Sequence, residues 1–177
     1  MNDTIKRIWN AATTVLVALV VILAMLIWGV QLFGLDVLVV QSGSMEPAYP
    51  TGSLVYVKET EPAELQVRDV ITFNLGNNVR GTHRIIELVP DENDPDLIRF
   101  RTKGDANEYA DSGLVDPSDI VGKVVFGIPL LGYLIAYIQQ PPGTYIAVAV
   151  GALLLLLTFL PEIIFDDGKK KEEGTTV

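Results

Sequence analysis

The chain has no cysteine and only one histidine, His83, among its 177 residues. Without thiols there can be no disulfide staple, thiolate zinc site or cysteine nucleophile, and the redox compartment stays open. Charge is missing from two long stretches: neither 8–35 nor 124–161 contains an Asp, Glu, Lys or Arg. A soluble globule of this size rarely tolerates two such runs, which excludes an ordinary cytosolic protein. Basic residues are also few and largely scattered. With 13 Lys+Arg against 22 Asp+Glu, net −9, the chain cannot neutralise a phosphate backbone, so nucleic acid is excluded as a partner. The length predicts a single domain.

The first uncharged run reads as a transmembrane helix over 11–35. Its 25 residues span about 37 Å, enough to cross a hydrocarbon core of about 30 Å with tilt. Trp9 and Trp28 suit the two interfaces, and Lys6 and Arg7 sit outside the N-terminal end. A cleaved signal peptide carries an apolar stretch of about 7–15 residues followed by a small-x-small site. This run is longer and 31–35 offers no such site, so an uncleaved anchor is expected.

The second run is broken at Gln139-Gln140-Pro141-Pro142-Gly143. Its first part, 124–138, holds Gly127, Pro129 and Gly132, and reads as a strand end followed by a segment at the membrane surface. Its second part, 145–160, reads as another transmembrane helix that Ile163-Ile164-Phe165 extend past Pro161 and Glu162. The alternative is a single anchor with a C-terminal helix resting on the membrane. Lys6 and Arg7 before the first span and Lys169-Lys170-Lys171 after the second put both termini in the cytoplasm, with 36–143 outside. In 36–123 there are 16 acidic and 8 basic residues, read as a solvated acidic surface. The expected organisation is a cytoplasmic segment and anchor (1–35), an extracytoplasmic β-domain (36–126), a membrane-surface connector (127–143), a second span (144–165) and a disordered polar cytoplasmic tail (166–177).

The external segment alternates short Val-, Ile-, Phe- and Tyr-rich runs with turn signals. Strands are predicted over 37–40, 53–58, 69–74, 82–89, 97–103 and 120–126. Between them stand Tyr49-Pro50-Thr51-Gly52, Gly76-Asn77-Asn78, the acidic stretch 90–95 and Lys103-Gly104-Asp105. The fold class expected is mainly β: a small antiparallel β-domain, of partly closed barrel type, tethered by the N-terminal and C-terminal helices.

If the protein is a hydrolase with an imidazole base, His83 is that base, since an ordinary imidazole pKa of about 6.5 lets it accept a proton near neutrality. The plainer reading is a strand histidine without chemistry. A hydroxyl nucleophile needs an exposed Oγ, a base in reach and oxyanion donors. Gln41-Ser42-Gly43-Ser44-Met45-Glu46-Pro47 offers these: Gly43 permits a bend that projects Ser44 from a strand end, and Ser42, two residues earlier, adds a hydroxyl on the same side if the strand continues. An ordinary Ser-Gly-Ser turn is the alternative. Ser44 lies nine residues beyond Leu35, close to the expected membrane surface. Asp105 and Asp111 share one loop; either could orient the imidazole, and Asp105 could instead cap its turn. Lys103 is a further candidate base.

Taken together, Ser42-Gly43-Ser44-Met45-Glu46-Pro47, Gly52-Ser53-Leu54-Val55, Arg68-Asp69-Val70-Ile71, Thr82-His83-Arg84-Ile85-Ile86 and Thr102-Lys103-Gly104-Asp105-Ala106-Asn107 resemble the ordered boxes of type I signal peptidases. The resemblance covers about 36–126. Bacterial members carry lysine where this chain has His83, so the likeness is to the archaeal and endoplasmic-reticulum branch. It implies Ser44 as nucleophile, His83 as general base, and Ser42 with the Ser44 amide as the oxyanion hole. Asp111 would complete a triad, and Asp105 would be a second important aspartate of less defined role. Arg68 stands where the family has glycine, and Ala106 where it has asparagine.

The activity implied is a membrane-bound serine endopeptidase that removes signal peptides after small residues, with no cofactor or metal. Its partners would be preprotein signal peptides, the lipid bilayer and the protein-export channel. An extended substrate would lie along a strand edge walled by 37–41 and 82–86, with 124–138 seated on lipid. The rival functions are a non-catalytic membrane-anchored scaffold and a related serine peptidase with another membrane-protein substrate.

Overall fold

The computed structural model describes residues 3–27, 29–77, 79–91, 94–95 and 97–166. The expected Trp28 anchor, the Lys169–Lys171 cluster and the tail beyond 166 lie outside these residues. Two compact units emerge: 1–27 together with 137–177, and 28–136.

The first unit is helical. Helix α1, Asp3–Ile27, carries an apolar stretch of 21 residues, Arg7–Ile27, long enough to cross a membrane. It ends eight residues before the expected Leu35. Gly29–Phe33 is a 3₁₀ turn, Gly34 takes a left-handed φ of +71°, and Leu35 already begins a strand. Hydropathy alone does not register these breaks, because Val30, Leu32 and Phe33 keep the run apolar. Ser44 therefore lies seventeen residues beyond the helix rather than nine beyond it. Two further helices are α2, Leu131–Ile138, most of which belongs to the second unit, and α3, Gly143–Asp166, in the first. Among the described residues α1 alone is long and apolar enough to span; the C-terminal run qualifies only when α2 and α3 are counted together.

The second unit is built on one antiparallel sheet. Its strands are β1 (Leu35–Val39), β2 (Leu54–Lys58), β3 (Val70–Gly76), β4 (Val79–Pro90), β5 (Ile98–Lys103), β6 (Leu114–Val115) and β7 (Ile120–Ile128), in the order β1-β2-β7-β3-β4-β5-β6. The six predicted runs are all strands. The two-residue β6 carried no alternation to read. The sheet is open, which corrects the partly closed barrel. Among the described residues β1 and β6 do not pair, and β7 returns to the middle, between β2 and β3.

Alternation places apolar side chains on both faces. Leu65, Ile71, Phe73, Ile85, Phe100 and Val115 form one cluster, and Met45, Val55, Val57, Val70 and Val124 form the other. Met45 is 1% exposed, so the residue after Ser44 is plugged into the second cluster.

Arg68, at the position where the resembled family has glycine, takes φ +82°. A Cβ in that region strains the backbone, whereas glycine does not. Its carbonyl accepts a 2.8 Å hydrogen bond from Arg84 Nη1, and its N–H donates to the Ile85 carbonyl at 2.8 Å, which holds it there. Arg68→Gly is expected to stabilise the protein by about 0.5–1 kcal/mol, net of glycine's added unfolded-state entropy. Thermal unfolding would show a rise of roughly 1–4 °C. An unchanged or lower Tm would remove the strain argument.

Candidate active site

His83 sits in the middle of β4, paired with Ile71 of β3 on one side and followed by the β5 contacts of Arg84 and Ile85. Pairing with β3 at His83 itself, and with β5 from Arg84 onward, holds its backbone, and its side chain is only 18% exposed. The Phe73 ring meets the imidazole edge-on, centroids 6.3 Å apart.

Ser44 lies in a 3₁₀ turn, Gly43–Met45, rather than at a continuing strand end. The expected same-side placement of Ser42 through strand alternation is therefore corrected, because β1 stops at Val39. The turn achieves the approach instead: Ser42 Oγ is 3.2 Å from Ser44 Oγ. The loop after β5 also grips the turn. Ala106 N–H donates to the Ser44 carbonyl at 2.8 Å, and Asn107 N–H to the Gly104 carbonyl at 3.0 Å. Only glycine fits at 104, since a Cβ there would come within 2.6 Å of the Ser44 oxygen and 2.7 Å of Asn107 Nδ2.

These constraints bring Ser44 Oγ to 3.2 Å from His83 Nε2. His83 Nδ1 lies 2.5 Å from Asp111 Oδ2. An ionised carboxylate can only accept, so Nδ1 donates and Nε2 is left to accept from the serine hydroxyl. Serine, histidine and aspartate thus form one hydrogen-bonded line.

Asp105 does not join it. Arg84 Nε and Nη2 donate to its two oxygens at 2.7 and 2.5 Å. This paired bonding holds the Arg84 guanidinium above even its ordinary high pKa. Strand geometry explains the division, because neighbours on β4 project to opposite faces. His83 and Arg84 diverge, and each takes one aspartate from the same loop.

Lys103 is not brought to the serine either: its Nζ donates to the Glu108 carbonyl at 3.2 Å. Thr102 is the neighbour that the sequence reading missed. Its hydroxyl donates to Asp111 Oδ2 at 2.6 Å, the same oxygen that faces His83. A strand threonine carries no signal in a sequence that could have marked it. A cleft of about 680 Å³ borders His83 and Asp111, with Phe73, Leu75 and Leu114 among its walls. Among the described residues no group of three His, Asp or Glu could hold a metal ion.

No family model matches the chain. Individual relatives do. It is 37% identical over 123 residues to signal peptidase I W of Bacillus subtilis, covering 65% of this chain and 63% of that protein. It is 33% identical over 153 residues to the signal peptidase complex catalytic subunit SEC11C of Rattus norvegicus, covering 78% of this chain and 79% of that one. A third, the signal peptidase complex catalytic subunit sec11 of Dictyostelium discoideum, is 31% identical over 180 residues, 89% of this chain and 99% of its own length. The chain thus spans somewhat under two thirds of the bacterial relative and most of the eukaryotic ones.

Proposed function

The chain belongs to the type I signal peptidases, serine endopeptidases, in the branch shared with the endoplasmic-reticulum catalytic subunits, and on that premise we propose that it removes signal peptides from exported proteins through an acyl-enzyme on Ser44. One observation carries the mechanism: three residues far apart in the chain, including its sole histidine, lie in hydrogen-bonded sequence Ser44–His83–Asp111.

Ser44 Oγ attacks the scissile carbonyl while His83 Nε2 takes its proton. Asp111 holds the imidazole with Nε2 toward the serine and stabilises the imidazolium that forms. The tetrahedral oxyanion is received by the Ser44 N–H and the Ser42 hydroxyl, charge that these donors meet without reorganising. His83 then returns the proton to the leaving amine, the carbonyl collapses to the Ser44 ester, and a water activated by the same imidazole hydrolyses it.

The substrate would lie extended beside β1, the end strand of the sheet, which among the described residues pairs only with β2. Residues 37–41 would supply backbone bonds and shallow pockets. The other expected wall, 82–86, lies in β4 between β3 and β5, so it can offer side chains but no free edge. In the cell this reading has α1 and α3 span the bilayer, α2 lie at its surface, and residues 36–126 face outward near the export channel.

The test is cleavage of a precursor of an exported protein by the detergent-solubilised protein, with the product's N-terminus read by mass spectrometry. A single cut after a small residue is expected, with loss of at least about tenfold when bulky side chains replace the small ones one and three residues before the cut. Cleavage elsewhere, or indifference to that replacement, would overturn the signal-peptide reading.

A further inference from the structure

We propose that Thr102 is a positioning residue of the Ser44–His83–Asp111 line, its hydroxyl fixing the carboxylate that orients the imidazole. This inference rests on the peptidase reading above. Asp111 comes from the irregular stretch between β5 and β6, where a carboxylate would otherwise rotate freely about two side-chain bonds. Thr102, by contrast, is on a strand paired with β4, opposite Ile85, and is 0% exposed.

Two bonds tie them. Asp111 N–H donates to the Thr102 carbonyl at 2.9 Å, and the Thr102 hydroxyl donates back to Asp111 Oδ2 at 2.6 Å. One carboxylate oxygen therefore receives donors from both Thr102 and His83 Nδ1, and its direction is set by the rigid strand. Thr102 is itself fully buried at the wall of the cleft that His83 and Asp111 also line, so its hydroxyl is held by the strand. The Thr102 hydroxyl bonds Asp111, so it acts through that carboxylate and not on the substrate.

Valine has threonine's shape and keeps the backbone bond to Asp111; it removes only the hydroxyl. Thr102→Val is expected to lower kcat about 10–100-fold, the usual worth of a hydrogen bond to a charged group, with KM unchanged. Thr102→Ser should recover most of the rate. An unchanged kcat in the valine variant would overturn the proposal, as would a loss that serine does not recover or that merely follows a lowered Tm.

A second readout needs no turnover. His83 is the only histidine, so ¹⁵N-histidine labelling reports a single imidazole. Its Nδ1–H signal should broaden or shift in Thr102→Val and return in Thr102→Ser. An identical signal in all three proteins would overturn the proposal even if no precursor were cut. Failure of the wild type to cut any precursor would instead count against the peptidase reading.

Discussion

Ser44→Ala and His83→Ala are each expected to lower kcat by about 10⁴–10⁶, and the double variant to be no slower than the worse single one. The reason is the 3.2 Å bond between Ser44 Oγ and His83 Nε2. A serine without its base is a weak nucleophile at neutral pH, and an imidazole without the serine has no proton to accept. Each substitution therefore removes the same unit. Lys103, the other candidate base, does not stand ready to substitute, since it is turned to the Glu108 carbonyl. The check is single-turnover cleavage by variants whose circular dichroism matches the wild type. Additive losses in the double variant would mean that the two side chains act separately.

Asp111→Asn is expected to lower kcat by about 10⁴, with much less effect on folding. An asparagine can present its amide N–H to Nδ1 and favour the wrong tautomer, with the proton on Nε2, where it cannot accept from Ser44. Asp105→Asn should behave in the opposite way. It breaks a paired bond to Arg84, both partners being less than a third exposed, and should cost about 1–3 kcal/mol of stability. Its effect on kcat at a temperature where the protein is folded should be small. Measuring Tm and kcat for both variants checks the pair together. A large kcat loss with unchanged Tm for Asp105→Asn would place that aspartate in the chemistry.

The two aspartates also show where sequence reading stops. They are six residues apart in one loop, and spacing cannot say which meets His83. The choice is made by β4, whose pleat sends His83 and Arg84 to opposite faces, and pleat direction depends on pairing that no local pattern encodes. The strands themselves were legible because alternating Val, Ile, Phe and Tyr between turn residues has few other readings. Sheet closure was not: six strand-like runs do not tell that β7 inserts between β2 and β3. The end of α1 is not legible because apolar residues continue beyond Ile27 into the 3₁₀ turn Gly29–Phe33. The bend at Gly43 is legible, but the side on which Ser42 lies is not, since a 3₁₀ turn and not a continuing strand brings it to Ser44. Thr102 stands in a quoted box but carries no sign of a role, since what distinguishes it is a carboxylate nine residues away in the chain.

The most direct measurement is cleavage of one exported precursor by wild type and Ser44→Ala, side by side in the same detergent. A shortened product that begins just after a small residue, formed by the wild type and absent with Ser44→Ala, is the predicted result. Equal cleavage by both proteins would contradict the account, because the nucleophile would then lie outside the Ser44–His83–Asp111 line.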